Sequence, residues 1–254
     1  MTLQIKRALG NGVTKTLTRA GFTFVVLLGI VELVFLASTN TVTEAYLAGL
    51  DLPAGATQSS ISMPLSLPVS ATVAGIFGFI GILVLQILTI TLIRVMTAEH
   101  QTITRESYTR RMGWVFLNSI VAGIIVGLLT MIGFILLVIP GLFLTVSLLF
   151  TTVYIADEDE SFVSAIRNSW SLTSGNRWRL FGLYLAVVIL SMIISSVPGF
   201  VLPSGSALSL VVTTILTTIM IVYLMAVLTD AYRQLRDENQ PDQGGNSNPD
   251  ATGM

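Results

Sequence analysis

The chain has 254 residues, of which 53% are hydrophobic and only 11% are charged, and its formal net charge is −1. Soluble domains usually contain about 25% charged residues, so this composition indicates an integral membrane protein. The near-neutral charge excludes a nucleic-acid-binding protein, and the absence of cysteine excludes a disulfide scaffold or a thiolate metal site.

Six apolar stretches stand out along the chain, and several of them reach the roughly 20 residues that cross a bilayer core. They lack the strict alternation of a barrel strand, so they predict helices. In chain order they are Phe22–Ser38, Val69–Met96, Val115–Ile139, Leu142–Ile155, Leu180–Val197 and Ala207–Leu228. We therefore predict an all-α fold, a polytopic membrane bundle of six transmembrane helices arranged as three hairpins.

The first span carries Glu32, the one ionisable side chain that lies well inside a predicted span. An unpaired charge at that depth is costly, so Glu32 is a candidate intramembrane site that binds a cation or takes part in proton movement. A protonated or solvated glutamate bonded to a neighbouring Thr or Ser would need no function, and this alternative stays open. The first span also resembles a signal peptide, although its long leader and Glu32 favour a retained helix.

Two outer turns are predicted at Pro-Gly pairs. The third and fourth spans form one apolar block, Val115–Ile155, which only Pro140-Gly141 interrupts. A single helix of that length would measure about 60 Å, roughly twice the hydrocarbon thickness, so we expect the chain to reverse at this pair. A second such turn is predicted over Pro198–Ser206, and Asn40–Leu67 is predicted to be the one sizeable extracytoplasmic loop.

The basic residues support this threading independently. If the amino terminus is inside, all 13 Lys and Arg fall in cytoplasmic segments, which is the positive-inside bias at its limit. Arg94, at the end of the second span, is expected to snorkel to the inner surface as an anchor. We therefore predict a multi-pass protein of the cell membrane with its N-terminus and C-terminus in the cytoplasm.

An amphipathic helix is predicted before the fifth span. Phe162, Ile166 and Trp170 recur every four residues. A helix over Ser161–Thr173 should therefore lie flat on the inner surface with these side chains toward lipid or the bundle. The acidic run Asp157–Glu160 precedes it and is expected to form a solvated helix start, where carboxylates favour the helix dipole.

This unit recurs weakly along the chain. Two further segments are candidates for the same role: Ile5–Gly12, which shares an Ala-x-x-Asn pattern with the first, and, more poorly, Glu99–Met112. We therefore predict three units, each an inner-surface amphipathic helix followed by a hairpin, and chance recurrence is the alternative. Residues 1–236 then form a single membrane domain, and residues 237–254 are predicted to be a disordered polar tail.

Aromatic and basic side chains gather at the predicted inner membrane boundary, where an indole buries its ring and hydrates its N–H. Arginine beside tryptophan suits anionic lipid headgroups, so the lipid bilayer is the predicted partner. The candidate lipid-contact residues are Trp114, Trp170, Arg177, Trp178 and Arg179.

The second half of the chain resembles a known group of proteins. Ile139-Pro140-Gly141-Leu142 is followed by the acidic run, by Ala165-Ile166-Arg167-Asn168-Ser169-Trp170 and by Arg177-Trp178-Arg179. This order is similar to prokaryotic six-span proteins that include YciC-like proteins, the membrane domain attached to some glycerophosphodiester phosphodiesterases, and a haloarchaeal family of uncharacterised membrane proteins. The resemblance covers residues 100–230 well and the first hairpin loosely, and it implies fold and membrane location but no catalytic residue. Eleven Arg against two Lys would fit a halophilic archaeal source.

Motifs that carry chemistry are few. His100 is isolated, whereas a metal site needs three or four ligands, and no phosphate-binding loop, nucleophile elbow or His-Glu-x-x-His helix occurs. We therefore expect no metal, no cofactor and no enzymatic activity. The preferred function is a non-enzymatic membrane protein that scaffolds, regulates or organises partners or lipids. The alternative is a small transporter or channel that uses Glu32, and a membrane-embedded enzyme is the third class.

Overall fold

Helices form the regular structure of this chain. The computed structural model describes residues 3–50, 63–98, 101–203 and 205–239, and within these ranges it contains ten helices and no strand. In chain order they are α1 (Ile5–Thr16), α2 (Arg19–Ala48), α3 (Ala71–Thr97), α4 (Arg105–Thr109), α5 (Met112–Leu136), α6 (Val138–Ser147), α7 (Thr151–Glu158), α8 (Phe162–Thr173), α9 (Arg177–Val201) and α10 (Ala207–Asn239). The predictions for His100, for residues 51–62 of the loop and for the tail from residue 240 lie outside the described residues.

Six helical segments among the described residues are long and apolar enough to cross a membrane. The fourth of them combines α6 and α7, which a short break at Leu148 separates. Their bounds are Arg19–Ala48, Ala71–Thr97, Met112–Leu136, Val138–Glu158, Arg177–Val201 and Ala207–Glu238. Each segment corresponds to one predicted span, so the all-α bundle with six membrane-length helices is confirmed.

The chain reverses close to the predicted turns but not at the Pro-Gly pairs themselves. Between α5 and α6 the break is Leu137, whose backbone is extended (φ −164°, ψ 151°), and Pro140 lies in the first turn of α6. Proline is tolerated there because the first N–H groups of a helix have no intrahelical acceptor. Pro198 likewise lies inside α9, which continues to Val201 and ends at the extended Leu202. The turn predicted at Pro140-Gly141 is therefore wrong by a few residues, whereas the second turn, which follows Val201, lies inside the predicted range Pro198–Ser206.

The loop between the first two spans is shorter than predicted. The helix α2 continues through Asn40 to Ala48, so the first part of the predicted loop is helical. The side chain of Asn40 donates to the carbonyl of Pro64 (2.8 Å), and the N–H of Leu67 donates to Thr41 Oγ1 (2.6 Å). These bonds hold the end of the loop against α2, and they satisfy backbone groups that the turn leaves without helical partners.

A short helix precedes each hairpin: α1 precedes α2 and α3, α4 precedes α5 to α7, and α8 precedes α9 and α10. Ala8 of α1 and Ala165 of α8 are both fully buried. Asn11 and Asn168, three residues further on, each donate a side-chain hydrogen bond to a carboxylate, at 3.0 and 2.7 Å. This shared burial and bonding supports the three-unit organisation, although α4 is much shorter than its counterparts.

The helix α8 approaches the bundle most closely through small side chains, which lie beside the predicted apolar face, and Phe162 of that face packs against the hydrophobic core. Ala165 and Ser169 are fully buried, whereas Trp170 is 41% exposed. Ser169 Oγ accepts from the N–H of Phe150 (3.1 Å) and donates to the carbonyl of Ser147 (3.0 Å). The break between α6 and α7 leaves these two backbone groups without helical partners. The small side chains of Ala165 and Ser169 let α8 approach this break and satisfy its backbone groups. Hydrophobic periodicity alone does not predict that this face of α8 must carry small residues.

Candidate functional site

Charged side chains gather at one end of the bundle, which we call the basal end and define by Arg94, Arg110 and Arg236. The C-terminal turns of α3, α7 and α10 meet there. The N-terminal segment lies at the same end, because the N–H of Gln4 donates to Gln234 Oε1 (3.0 Å). Segments that the charge pattern assigns to one side of the membrane thus lie together.

Arg94 of α3 is enclosed within the basal end and is only 7% exposed. Its Nε donates to the carbonyl of Ala156 (2.7 Å) and its Nη2 donates to Asp159 Oδ1 (2.7 Å). Arg110 Nε lies 3.1 Å from the second oxygen of the same carboxylate. The prediction that Arg94 snorkels to the inner surface is therefore wrong, because an internal carbonyl and carboxylate satisfy the guanidinium.

The acidic run pairs internally rather than forming a solvated helix start. Asp157 Oδ1 accepts from Thr97 Oγ1 (2.7 Å), and Arg236 Nη1 lies 3.3 Å from Asp157 Oδ2 and 3.1 Å from Glu158 Oε1. Tyr232, which is fully buried, also donates to Glu158. Asp157 and Glu158 end α7, where the helix dipole disfavours negative charge, so these cations and donors are needed there.

Glu32 belongs to α2, and its side chain contacts Thr218 of α10. Thr218 Oγ1 is 2.5 Å from Glu32 Oε2 and 2.8 Å from the carbonyl of Thr214. The Thr218 hydroxyl carries a single proton, which it shares between the Glu32 carboxyl and the Thr214 carbonyl in a three-centre hydrogen bond. This geometry supports the structural alternative for Glu32, and its transport role stays a hypothesis.

We expect Glu32→Gln to leave folding intact, because the glutamine amide can donate to Thr218 while Thr218 keeps its bond to Thr214. Thermal unfolding in detergent should show a change within about 0.5 kcal/mol. Glu32→Leu removes an interhelical hydrogen bond and should cost about 0.6 kcal/mol. An ion- or pH-dependent activity that Glu32→Gln abolishes would instead establish Glu32 as a transport residue.

A polar cleft of about 690 Å³ lies between α1 and α10 at the basal end. The Lys15 ammonium is buried in its wall, where it donates to the carbonyl of Met96 (2.9 Å) and lies 3.9 Å from Asp230. Burial lowers the pKa of Lys15, and the charge of Asp230 opposes this change. Three basic and three acidic side chains line the cleft, so it does not select a ligand of one charge. Lys15 instead caps the C-terminal turn of α3.

A second cleft, of about 550 Å³, lies between α6 and α9 and is lined almost entirely by apolar side chains. Its two walls come from two different predicted spans. Gly175, in the turn between α8 and α9, closes one side, and Arg177 is the one charged residue in the lining. The apolar lining consists of Ile139, Leu142, Phe143 and Val146 of α6 with Trp178 and Phe181 of α9.

The guanidinium of Arg177 lies against two aromatic rings that meet edge to face. Its Cζ is 4.5 Å from the ring centroid of Phe143 and 4.7 Å from that of Trp170. Its Nη2 donates weakly to the carbonyl of Trp170 (3.5 Å), while its Nε is buried without a hydrogen-bond partner. No carboxylate among the described residues pairs with Arg177. The cleft therefore presents a cation for which the described part of the chain supplies no counter-charge.

The predicted lipid-contact residues divide into two groups. Trp170, Arg177 and Trp178 meet at the α6–α9 cleft, where the Trp178 ring also packs edge-on against Phe181 at 6.3 Å. Trp114 lies apart from the cleft and is 46% exposed. The Cζ atom of Arg111 lies over its ring, 5.9 Å from the centroid. Arg179 is exposed and does not line the cleft.

Sequence reasoning missed the apolar half of this cleft. Phe143 and Phe181 lie in ordinary apolar spans, where nothing distinguishes a residue that lines a cleft from one that faces lipid. The alternation of Arg and Trp just before the fifth span was the available signal, and it indicated only the polar end of the site.

Six membrane-length helices with an ion-paired basal end and a lateral apolar cleft define a multi-pass helical membrane protein. A family model described as a domain of unknown function (DUF7847) matches residues 3–235. Because this match covers most of the 254 residues, the chain belongs to the DUF7847 family. No curated protein and no solved structure matches the chain. The resemblance to YciC-like proteins, to phosphodiesterase membrane domains and to a haloarchaeal family stays a prediction.

Proposed function

We propose that this protein is a non-enzymatic, membrane-organising protein that gathers anionic lipids around its basal end. In this proposal the basal end meets the cytoplasmic leaflet of the cell membrane, and both chain termini lie in the cytoplasm. The predominance of Arg over Lys, eleven against two, underlies the separate hypothesis of a halophilic archaeal source. The observation that carries the proposal is the unequal pairing of charge at the basal end.

Three carboxylates of the acidic run are already used inside the protein, where Asp157, Glu158 and Asp159 pair with Arg94, Arg110 and Arg236, while Glu160 accepts from the Asn168 amide. Other arginines at this end have no carboxylate partner within the described ranges: Arg111, Arg167, Arg177 and Arg179. Each unpaired arginine close to an anionic leaflet gains about 1 kcal/mol. This excess of unpaired positive charge favours anionic headgroups.

Exposed tryptophans accompany these arginines, as expected for side chains at the boundary between headgroups and hydrocarbon. Trp178 is 85% exposed beside Arg177 and Arg179, and Trp114 follows Arg111. An indole that is exposed at a helix start can bury its ring among lipid chains while its N–H meets the headgroups. The combination supports contact with lipid at this end of the bundle.

Quenching of tryptophan fluorescence by brominated lipid tests the proposal. In phosphatidylcholine vesicles, a small fraction of brominated phosphatidylglycerol should quench the three tryptophans more strongly than the same fraction of brominated phosphatidylcholine. Combining Arg111→Gln, Arg167→Gln and Arg179→Gln leaves Arg177 and the paired arginines intact. At about 1 kcal/mol per charge, each exchange should lower the local lipid preference about fivefold.

The matched control replaces the same three arginines by lysine, which keeps the charge and should keep the preference. Equal quenching by the two lipids in the unsubstituted protein would contradict the proposal. Transport through Glu32 is the alternative function, and the effect of Glu32→Gln on an ion-dependent activity separates the two.

A further inference from the structure

We propose that the α6–α9 cleft is a discrete site for one anionic phospholipid, whose hydrocarbon chain lies in the cleft and whose phosphate is bound by Arg177. The inference rests on the proposed function, since it names one lipid site within the surface that attracts anionic lipids. It differs from that function because a discrete site holds one molecule in a defined place, whereas a charged surface enriches many.

The shape of the cleft suits a hydrocarbon chain. Its volume of about 550 Å³ lies within the usual range for small-molecule sites. The apolar wall of α6 extends from Ile139 to Val146, a length of about 10 Å at 1.5 Å per residue. Ile139 and Trp178 at the rim are strongly exposed, whereas Val146 is buried, so the cleft deepens between the two helices.

The charge of the cleft suits an anion at one end. Arg177 is the one charged residue in the lining, and its Nε is buried without a partner. The rings of Phe143 and Trp170 cover one side of the half-buried guanidinium, so leaving its buried Nε without a partner is costly. A phosphate accepts the parallel N–H groups of a guanidinium and would supply the missing counter-charge.

The bilayer is the source of ligand that fits both features. The walls belong to helices of membrane-crossing length, so hydrocarbon already surrounds the cleft. A free phosphate would meet Arg177 but leave the apolar cleft unfilled, and an uncharged lipid would fill the cleft but leave Arg177 unpaired. An anionic phospholipid satisfies both requirements at once.

Native mass spectrometry of the full chain in detergent, titrated with phosphatidylglycerol, tests the site. We expect one lipid to bind at a concentration at least tenfold lower than further lipids do. Arg177→Gln should abolish this tight binding, whereas Arg179→Gln, which removes a neighbouring exposed arginine, should lower its affinity by no more than the roughly fivefold expected for one surface charge. Arg177→Lys keeps the charge but not the paired donors, so we expect intermediate affinity.

A second variant tests the cleft without touching Arg177. Leu142→Trp fills the apolar space and should remove the tight lipid while thermal unfolding stays close to that of the unsubstituted protein. Glycerol 3-phosphate should not compete with the bound phospholipid, and phosphatidylcholine should bind at least tenfold more weakly.

Three results would each overturn the inference: equal loss in Arg177→Gln and Arg179→Gln, tight binding that survives Leu142→Trp, or displacement by glycerol 3-phosphate. If the tight site is absent while brominated phosphatidylglycerol still quenches Trp114 preferentially, the inference fails and the proposed function stands. If that preference is also absent, the proposed function fails as well.

Discussion

Replacing Arg94 by methionine should lower the free energy of unfolding by about 3–5 kcal/mol, because it removes one partner of a buried ion pair. Methionine keeps much of the side-chain volume, so the loss reports polar contacts more than a cavity. The carbonyl of Ala156 and the carboxylate of Asp159 each lose a hydrogen-bond donor at 2.7 Å. Thermal unfolding in detergent, followed by circular dichroism and by the monodisperse fraction on size-exclusion chromatography, measures the effect.

Arg179→Met is the matched control, since Arg179 is exposed and has no carboxylate partner among the described residues. It should change stability by no more than about 0.5 kcal/mol. Arg94→Lys should recover only part of the loss, because an ammonium cannot reproduce the contacts of Nε and Nη2 together. If Arg94→Met were as stable as Arg179→Met, the ion-paired network would not be what joins α3 to α7.

Gly21→Ala should destabilise the protein by about 1–3 kcal/mol, although alanine is the better helix former. A Cβ on Gly21 would lie 2.3 Å from the carbonyl oxygen of Thr16 and 2.6 Å from that of Lys15. These are backbone atoms that cannot rotate away, so the corner between α1 and α2 must open. That movement would pull the Lys15 ammonium away from Met96. The same unfolding measurement checks the prediction.

Gly10→Ala provides the control within the neighbouring helix. Among the described residues, no atom outside the backbone of its own helical turns lies within 4 Å of a Cβ on Gly10, so alanine meets no obstacle there. It should stabilise α1 by up to about 1 kcal/mol through helix propensity alone. If both exchanges shifted stability in the same direction, the steric explanation for Gly21 would be wrong.

The polar end of the lipid cleft could be predicted, but its apolar walls could not. Tryptophan and arginine at a span boundary have few other uses, so Trp170, Arg177 and Trp178 were identifiable from type and position. Phe143 is one of many apolar residues in its span, and its contact with the Arg177 guanidinium depends on how α6 and α9 meet. The grouping of these side chains therefore appears only in the folded bundle.

Turn positions show a related difference. The Pro-Gly pairs correctly indicated where a hairpin occurs, because uninterrupted apolar runs of that length do not fit one membrane crossing. They did not indicate the reversing residue, since Pro140 is compatible with a helix start and Pro198 with the last turns of a helix. The first reversal begins at Leu137, a residue type that does not signal a turn, whereas the second begins at Leu202, inside the predicted range.

The number of membrane-length helices and the gathering of basic residues at one end follow from composition along the chain, because hydrocarbon and charge act on each segment separately. Which of those basic residues forms an ion pair inside the protein does not follow from composition. Arg94 was expected to anchor in headgroups, yet it pairs with Asp159, 65 residues away, whereas Arg177 remains without a carboxylate in the described chain. Which arginine finds an internal partner depends on the relative position of helices that are distant in sequence, and only their packing sets that position.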